Sequence, residues 1–404
     1  MNADVNAEVS TEDELARVVR DHAGRLAGAL VSLLGDFSAA EDLVQDAVEI
    51  ALRRWPVEGI PDRPDAWLFT VAKRRGLDVL RRQQNYRAKL AELQHQDEQP
   101  VAPDDRLRLI FTCCHPALAR EAQVALTLRV VCGLTTAQIA AALLAKESAV
   151  AQRITRAKRK ITDAGIPYRI PRDDELPERL TEVLTVIYLL FNEGYLSSTA
   201  ERAHSRDLVD DAEWLTALLH GLLPNEPEVA GLLALIRLHR ARTPARFTPA
   251  GELVLLEDQD RTLWDQTAIA EATALLTRTA HRHHAPGPYQ LQAAIAACHS
   301  EAPTWAETDW RQILVLYDML LTLQPSPVTC LHRSVALSFV EGPAVALAEV
   351  DRLALDTYPL FHATRAQFLR DLGRDTEAHV ADERAADLTA NPAQLDLLRE
   401  RLAR

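Results

Sequence analysis

The stretch QRITRAKRKI, residues 152–161, concentrates side chains suited to a polyanion: Arg153, Arg156, Lys158, Arg159 and Lys160 carry charge, and Gln152 adds a polar amide. The chemistry open to such a set is recognition rather than bond making. Guanidinium and ammonium groups neutralise phosphates and fork onto bases in a major groove. A helix must hold them, because Val150, Ile154, Ala157 and Ile161 recur at helical spacing as one apolar stripe and leave the polar residues largely outside it. Upstream, Thr135 and Gln138 form a capping box with Leu134 and Ile139 as its hydrophobic staple, which predicts a short helix beginning at Thr136. Two short helices, a tight connection and a basic outer face on the second describe a helix-turn-helix. Basic helix faces also occur as plain solvated surface, so this segment alone does not decide for DNA.

A second basic set lies on the helix predicted over residues 65–89. It opens with Trp67, Leu68, Phe69 and Val71 and continues into Lys73, Arg74, Arg75, Arg81, Arg82, Arg87 and Lys89, with only Asp78 opposing them. Aromatic and basic residues on one helix suit an unstacked strand, whose bases stack on rings while cations hold its phosphates. Phe69 reads as core. Before this helix, Pro56 to Pro64 is a proline-marked loop, with Pro64 and Asp65 suited to a first helical turn. Ser38 and Glu41 predict another capping box, opening a helix through about Trp55 on which Leu43, Ala47, Ile50 and Ala51 face inward. Asp42, Gln45, Asp46 and Glu49 then share a polar face, which by itself reads as solvated surface. A first helix is predicted over residues 12–34.

Composition sets the frame for these elements. The 404 residues, 48% hydrophobic and only 5% aromatic, rich in Ala, Leu, Arg and Glu, predict an all-α chain of several domains. No run of apolar residues is long enough to cross a bilayer and the first residues are acidic, so a cytoplasmic location is expected. The net charge of −13 hides a division: residues 1–170 carry 24 Lys+Arg against 23 Asp+Glu, whereas residues 171–404 carry 21 against 35. The acidity belongs to the second half, and local patches rather than the total govern where phosphates are attracted. Cys113, Cys114, Cys132, Cys298 and Cys330 form no CxxC pair and are expected as buried thiols. His281, His283 and His284 precede Pro286 without a partner pair at zinc spacing. Neither a phosphate-binding glycine loop nor a hydrolase or metalloprotease motif is present, so no enzyme activity, cofactor or metal is expected.

Three motifs in order resemble a bacterial extracytoplasmic-function sigma factor. DFSAAEDLVQDAV is similar to the family's polymerase-binding helix, PDAWLFTVAKRRGLDVLRR to its −10 promoter helix, and LTTAQIAAALLAKESAVAQRITRAKRKI to its −35 helix-turn-helix. DDRLRLIFTCCHPAL and YLLFNEGYLSS resemble the subgroup that carries a long helical, tetratricopeptide-like C-terminal extension. The resemblance implies that Asp42, Gln45, Asp46 and Glu49 dock on core RNA polymerase. It implies that Trp67, with the Pro56 to Pro64 loop, handles an extruded −10 base while Lys73, Arg74, Arg75 and Arg81 hold phosphates. Gln152, Arg153, Thr155 and Arg156 would address the −35 duplex. Arg74 stands where relatives often have Asn, and Lys146 and Ala151 depart from the common pattern too, which leaves the promoter bases open.

The organisation implied is region 2 over 1–90, a linker over 91–105, region 4 over 106–170 and the extension over 171–404. The linker, acidic and proline-punctuated, reads as a flexible tether; by resemblance such segments thread the polymerase active-site channel. In the extension, helices are predicted from Pro177 (with Leu180, Leu184, Ile187 and Phe191 inward) and over about 207–222, 226–242, 261–280, 288–299 and 305–323. Residues 333–353 and 363–385 then repeat a helix, glycine turn and helix at an offset of about 31 residues. The extension is expected to modulate activity and to meet the sigma regions near Phe191 to Tyr195, or to receive a regulatory protein. The competing reading is a non-sigma helix-turn-helix regulator whose helical repeats bind a peptide or small ligand.

Overall fold

The computed structural model describes residues 26–27, 30–31, 37–61, 63–82, 103–132, 134–143, 145–196, 208–280, 285–389 and 391–403. Among them there is no β-strand, only an isolated bridge between Phe247 and Leu253. The chain divides into two compact units, Met1–Glu193 and Gly194–Arg404.

The first unit holds α1 (Phe37–Glu58), α2 (Pro64–Arg82), α3 (Pro103–Cys113), α4 (Arg120–Val130), α5 (Thr136–Ala142), α6 (Glu147–Asp163) and most of α7 (Leu176–Leu196). Helix α1 begins one residue before Ser38, so that residue lies in the first turn instead of ahead of it; the side chains of Ser38 and Glu41 lie outside the described residues. The helix also outruns the expected boundary at Trp55. Pro56 sits inside its last turn, where the missing N–H costs one hydrogen bond, and the helix stops only at Gly59, whose φ of +85° is a left-handed conformation that few other residues adopt. Gly59 closes the end by donating its N–H to the Trp55 carbonyl at 3.0 Å.

On the inner side of α1, Leu43, Ala47 and Ala51 are buried, and fully buried Leu68 and Ala72 come from α2. Trp55 meets Trp67 edge to face, with ring centroids 5.6 Å apart, and this pair closes the bottom of the two-helix hairpin. The expectation that Phe69 is core fails, since it is half-buried, and Lys73 Nζ lies 5.7 Å above its ring. Leu68, its neighbour, takes the inward position.

Helix α4 is the axis of the next group: Val124, Ala125, Leu126, Leu128 and Val130 are all buried, and so are Leu109, Ile110 and Phe111 of α3. Cys113, Cys114 and Cys132 are buried as expected, while Cys298 and Cys330 are half-buried. Burial raises the Cys114 thiol to about 12, which removes it as a nucleophile near neutral pH. Helix α7 carries Leu180, Val183, Leu184, Ile187 and Phe191 into the interior. It is tied to this group by Arg120, whose guanidinium meets Glu182 at 2.6 Å, and by Arg179, which donates to the carbonyl of Phe111.

The second unit contains α8 (Leu208–Leu222), α9 (Pro227–Ala241), α10 (Gln266–Ala280), α11 (Pro288–Glu301), α12 (Trp310–Leu323), α13 (Pro327–Glu341), α14 (Pro343–Val350), α15 (Pro359–Asp371), α16 (Asp375–Leu388) and α17 (Pro392–Leu402). Proline stands in the first turn of α9, α11, α13, α14, α15 and α17, where its missing N–H would have had no helical partner. Helix α9 is apolar nearly all round, with Val229, Ala230, Leu232, Leu233, Ala234, Leu235, Ile236 and Leu238 buried, and it therefore sits at the centre. The helix pairs expected near the end are present: α13 and α15 start 32 residues apart, as do α14 and α16. They stack through one core of Leu331, Leu347, Val350, Phe361, Phe368 and Leu369. The three histidines before Pro286 lie outside the described residues.

At Gly194, near the end of α7, the contact with α8 leaves no room for a side chain. A Cβ added there would lie 2.8 Å from both the Leu208 Cβ and the Val209 nitrogen.

Candidate nucleic-acid interface

The helix-turn-helix is built as its sequence demands. Gln138 N–H donates to Thr135 Oγ1 at 3.2 Å and Thr135 N–H to Gln138 Oε1 at 2.8 Å, a reciprocal capping box that starts α5 at Thr136. Leu134 and Ile139, the staple residues, are buried. Arg129 Nη1 donates to the Leu134 carbonyl at 2.9 Å and fixes the entry to the motif. Helix α6 buries Val150, Ile154, Ala157 and Ile161 and no other residue. That single stripe orients the whole helix.

The opposite face carries the candidate readers. Gln152, Thr155, Arg156 and Arg159 lie three or four residues apart along one exposed side, and Arg153 flanks them, half-buried. Thr155 donates its hydroxyl to the Ala151 carbonyl at 2.9 Å, so its oxygen faces outward as an acceptor. Arg159 is drawn along the helix to Asp163 at 3.1 Å, which leaves Arg156 as the guanidinium placed squarely in the centre. Lys146, at the start of α6, offers no side-chain cap to the helix.

On α2, Arg74 and Arg75 are exposed and Trp67 and Lys73 half-buried. Arg81 lies in the last turn of the helix, and its side chain is outside the described residues. On α1, Asp42, Gln45 and Glu49 are exposed and Asp46 is half-buried. All four line one wall of a cleft of about 640 Å³, faced by Arg129, Thr135, Thr136, Ala137 and Glu147. Two ion pairs restrain this acidic face: Glu49 with Arg53 one turn on, and Asp46 with Arg75 of α2. The second joins two residues that sequence reasoning assigned to separate surfaces, and no local spacing could have shown it. The same is true of Arg120 and Arg179, whose partners lie more than sixty residues away in sequence.

Among the described residues no group of His, Cys, Asp or Glu is arranged to hold a metal ion. His115, after the two buried cysteines, accepts from the Ala117 N–H at 3.1 Å, and burial lowers its pKa. No described helix is long and apolar enough to cross a membrane.

Comparison with known families agrees with this geometry. Residues 18–86 match the model for sigma-70 region 2, residues 108–161 that for sigma-70 region 4, and residues 179–280 a family of unknown function, DUF6596. An uncharacterised protein of Rhizobium meliloti, R00370, is 44% identical over 389 residues, covering 93% of this chain and 92% of that protein. A probable ECF RNA polymerase sigma factor, SigI of Mycobacterium tuberculosis, is 28% identical over 169 residues, 39% of this chain and 58% of its own length. No solved structure matches. The chain belongs to the extracytoplasmic-function sigma factors, in the form that carries a C-terminal helical extension.

Proposed function

We propose that this sigma factor joins core RNA polymerase through Asp42, Gln45, Asp46 and Glu49 and directs it to one class of promoter, acting in the cytoplasm without a catalytic group or cofactor of its own. Region 2, over residues 1–90, would hold the −10 element: Trp67 against an extruded base, and Lys73, Arg74, Arg75 and Arg81 on phosphates. Region 4, over residues 106–170, would hold the −35 duplex through Gln152, Arg153, Thr155 and Arg156, with residues 91–105 as the connection.

The observation that carries this reading is the division of α6 into one fully buried stripe and one exposed face bearing Gln152, Thr155 and Arg156. That face presents an amide, a hydroxyl and a guanidinium within about one turn of each other, which supports a reading role. Charge supports a role for the extension as well. Residues 171–404 carry a net −14 beside a promoter-binding half near neutrality, so the extension is suited to compete with DNA for basic patches or to present a surface to a regulatory protein. The deciding experiment is run-off transcription with purified core polymerase on a promoter selected from genomic fragments. Specific transcripts that depend on the chain are expected. DNA binding with no association with core polymerase would point instead to a non-sigma regulator.

A further inference from the structure

The second unit buries positive charge that no described carboxylate neutralises. Arg242 is only 6% exposed and Arg261 is half-buried, and neither has an ion pair among the described residues. The two guanidinium groups lie against the Trp264 ring, at 5.9 and 4.5 Å from its centroid. His299 completes the group. Its ring packs against both Trp305, stacked at 6.0 Å, and Trp310, edge-on at 5.2 Å.

Part of the charge has an explanation in the backbone. Arg261 Nη1 donates to the carbonyls of His299 and Ala302 at 2.7 and 2.6 Å, the end of α11, and Arg242 is itself the residue that terminates α9. Arg246 donates to the Tyr195 carbonyl near the end of α7, with its guanidinium 3.7 Å over the Tyr195 ring. Helix C-termini therefore gather round the arginines, each carrying roughly half a negative charge. Half charges do not balance whole ones.

The donors are not all used either. Arg242 Nε, Arg261 Nη2, Trp264 Nε1 and His299 Nδ1 are buried with no hydrogen-bond partner. Arg242 spends Nη2 on the Nδ1 of His239 at 2.7 Å, a neutral acceptor. The guanidinium and indole N–H groups among these donors are those that a carboxylate or phosphate oxygen accepts from, and burying them unsatisfied is unfavourable.

We propose that the group formed by Arg242, Arg261, Trp264 and His299 is a binding site for a small anion bearing a carboxylate or phosphate. The excess charge calls for an anion, and the guanidinium and indole N–H groups supply directional donors that a diffuse counterion would not need. The low His299 pKa has the same origin: burial first, then the charges of Arg242 and Arg261. An anion that binds only the folded unit stabilises it by mass action, so a cellular anion of this class would set how firmly the C-terminal extension is folded.

The test uses the full chain with inorganic phosphate and malonate as probes, each against sodium chloride at equal ionic strength. A saturable rise in the unfolding temperature is expected with at least one probe, and titration calorimetry should give a matching single site. Phosphate alone, malonate alone or both would define the class. In Arg242→Gln and Arg261→Gln the calorimetric signal should fall at least tenfold. Arg311→Gln, on an exposed position of α12, should bind as the parent does. Should the buried variants fail to fold, Arg261→Lys, which keeps the charge and loses the fork, should weaken binding severalfold. Equal effects of probe and chloride, or binding that survives in folded variants, would overturn the assignment.

Discussion

Arg75 of α2 is paired with Asp46 of α1, guanidinium to carboxylate, with both side chains nearly half exposed at 47% and 43%. One partner belongs to the face proposed for polymerase and the other to the face proposed for promoter phosphates. On that proposal, a polymerase that took up Asp46 would release Arg75 for DNA. Asp46→Asn should accordingly cost less than about 1 kcal/mol of stability, as exposed pairs do, while raising the affinity of the free protein for a single-stranded −10 oligonucleotide severalfold. Denaturant midpoints and fluorescence anisotropy measure the two effects; an unchanged anisotropy curve would leave the pair with no such role.

Arg153→Ala and Arg156→Ala should each weaken −35 duplex binding by about 1–3 kcal/mol. Neither residue belongs to the buried stripe of α6, so far-UV circular dichroism should be unchanged. Ile154→Ala, from within the stripe, should instead lose about 2–5 kcal/mol of stability. Gel shifts over a salt series separate the cases, and normal binding by the double arginine variant would remove α6 from the interface.

Replacing Asp42, Gln45, Asp46 and Glu49 together by Ala should abolish capture of core polymerase without loss of helicity. The four line a cleft wall and contribute nothing to the buried side of α1. Retained capture by a folded variant would move the polymerase contact elsewhere.

Truncation must respect the architecture. A chain cut after Tyr168 loses α7, and with it the Arg120–Glu182 pair and the buried residues Leu180, Val183 and Ile187 of the first unit. It should melt at a lower temperature than a chain ending at Leu196, which keeps them. The effect of the extension on run-off transcription is therefore the difference between the full chain and the longer truncation. Equal transcription by those two would leave the extension without a regulatory role.

Acid should act on the second unit through His299. Its pKa is lowered from 6.5 to about 3, chiefly by burial and then by Arg242 and Arg261. A depressed folded-state pKa means that the neutral ring is the form the fold requires. The stability it contributes is whole above pH 6.5 and declines as the pH falls towards 3. The unfolding temperature of the full chain should drop over that window, and His299→Phe, which cannot titrate, should flatten the slope.

The local architecture was legible because it is local. The capping box at Thr135 and Gln138, the stripe from Val150 to Ile161 and the helix from Pro177 are set by residues within one or two turns of each other, and the structure reproduces them. What escaped depends on pairs distant in sequence. Arg179 reaches back to Phe111, so most of α7 packs into the first unit, beyond the start of the extension that the resemblance implies at residue 171. Phe69 is half-buried although aromatic residues usually go inside, because Leu68 occupies the inward position and Lys73 covers the ring. Buried Arg242 and half-buried Arg261 carry no sequence signal, since nothing local tells them from surface charge.

Gly194 fixes a mechanical tolerance. The backbone there comes so near Leu208 and Val209 that one methyl group would act as a wedge at the foot of α8, a lever roughly 22 Å long at 1.5 Å per residue. The next residue, Tyr195, offers its carbonyl to Arg246, and its side chain reaches Arg242. A side chain at Gly194 would therefore push on the helix end that also carries Tyr195, the residue that meets both Arg246 and Arg242.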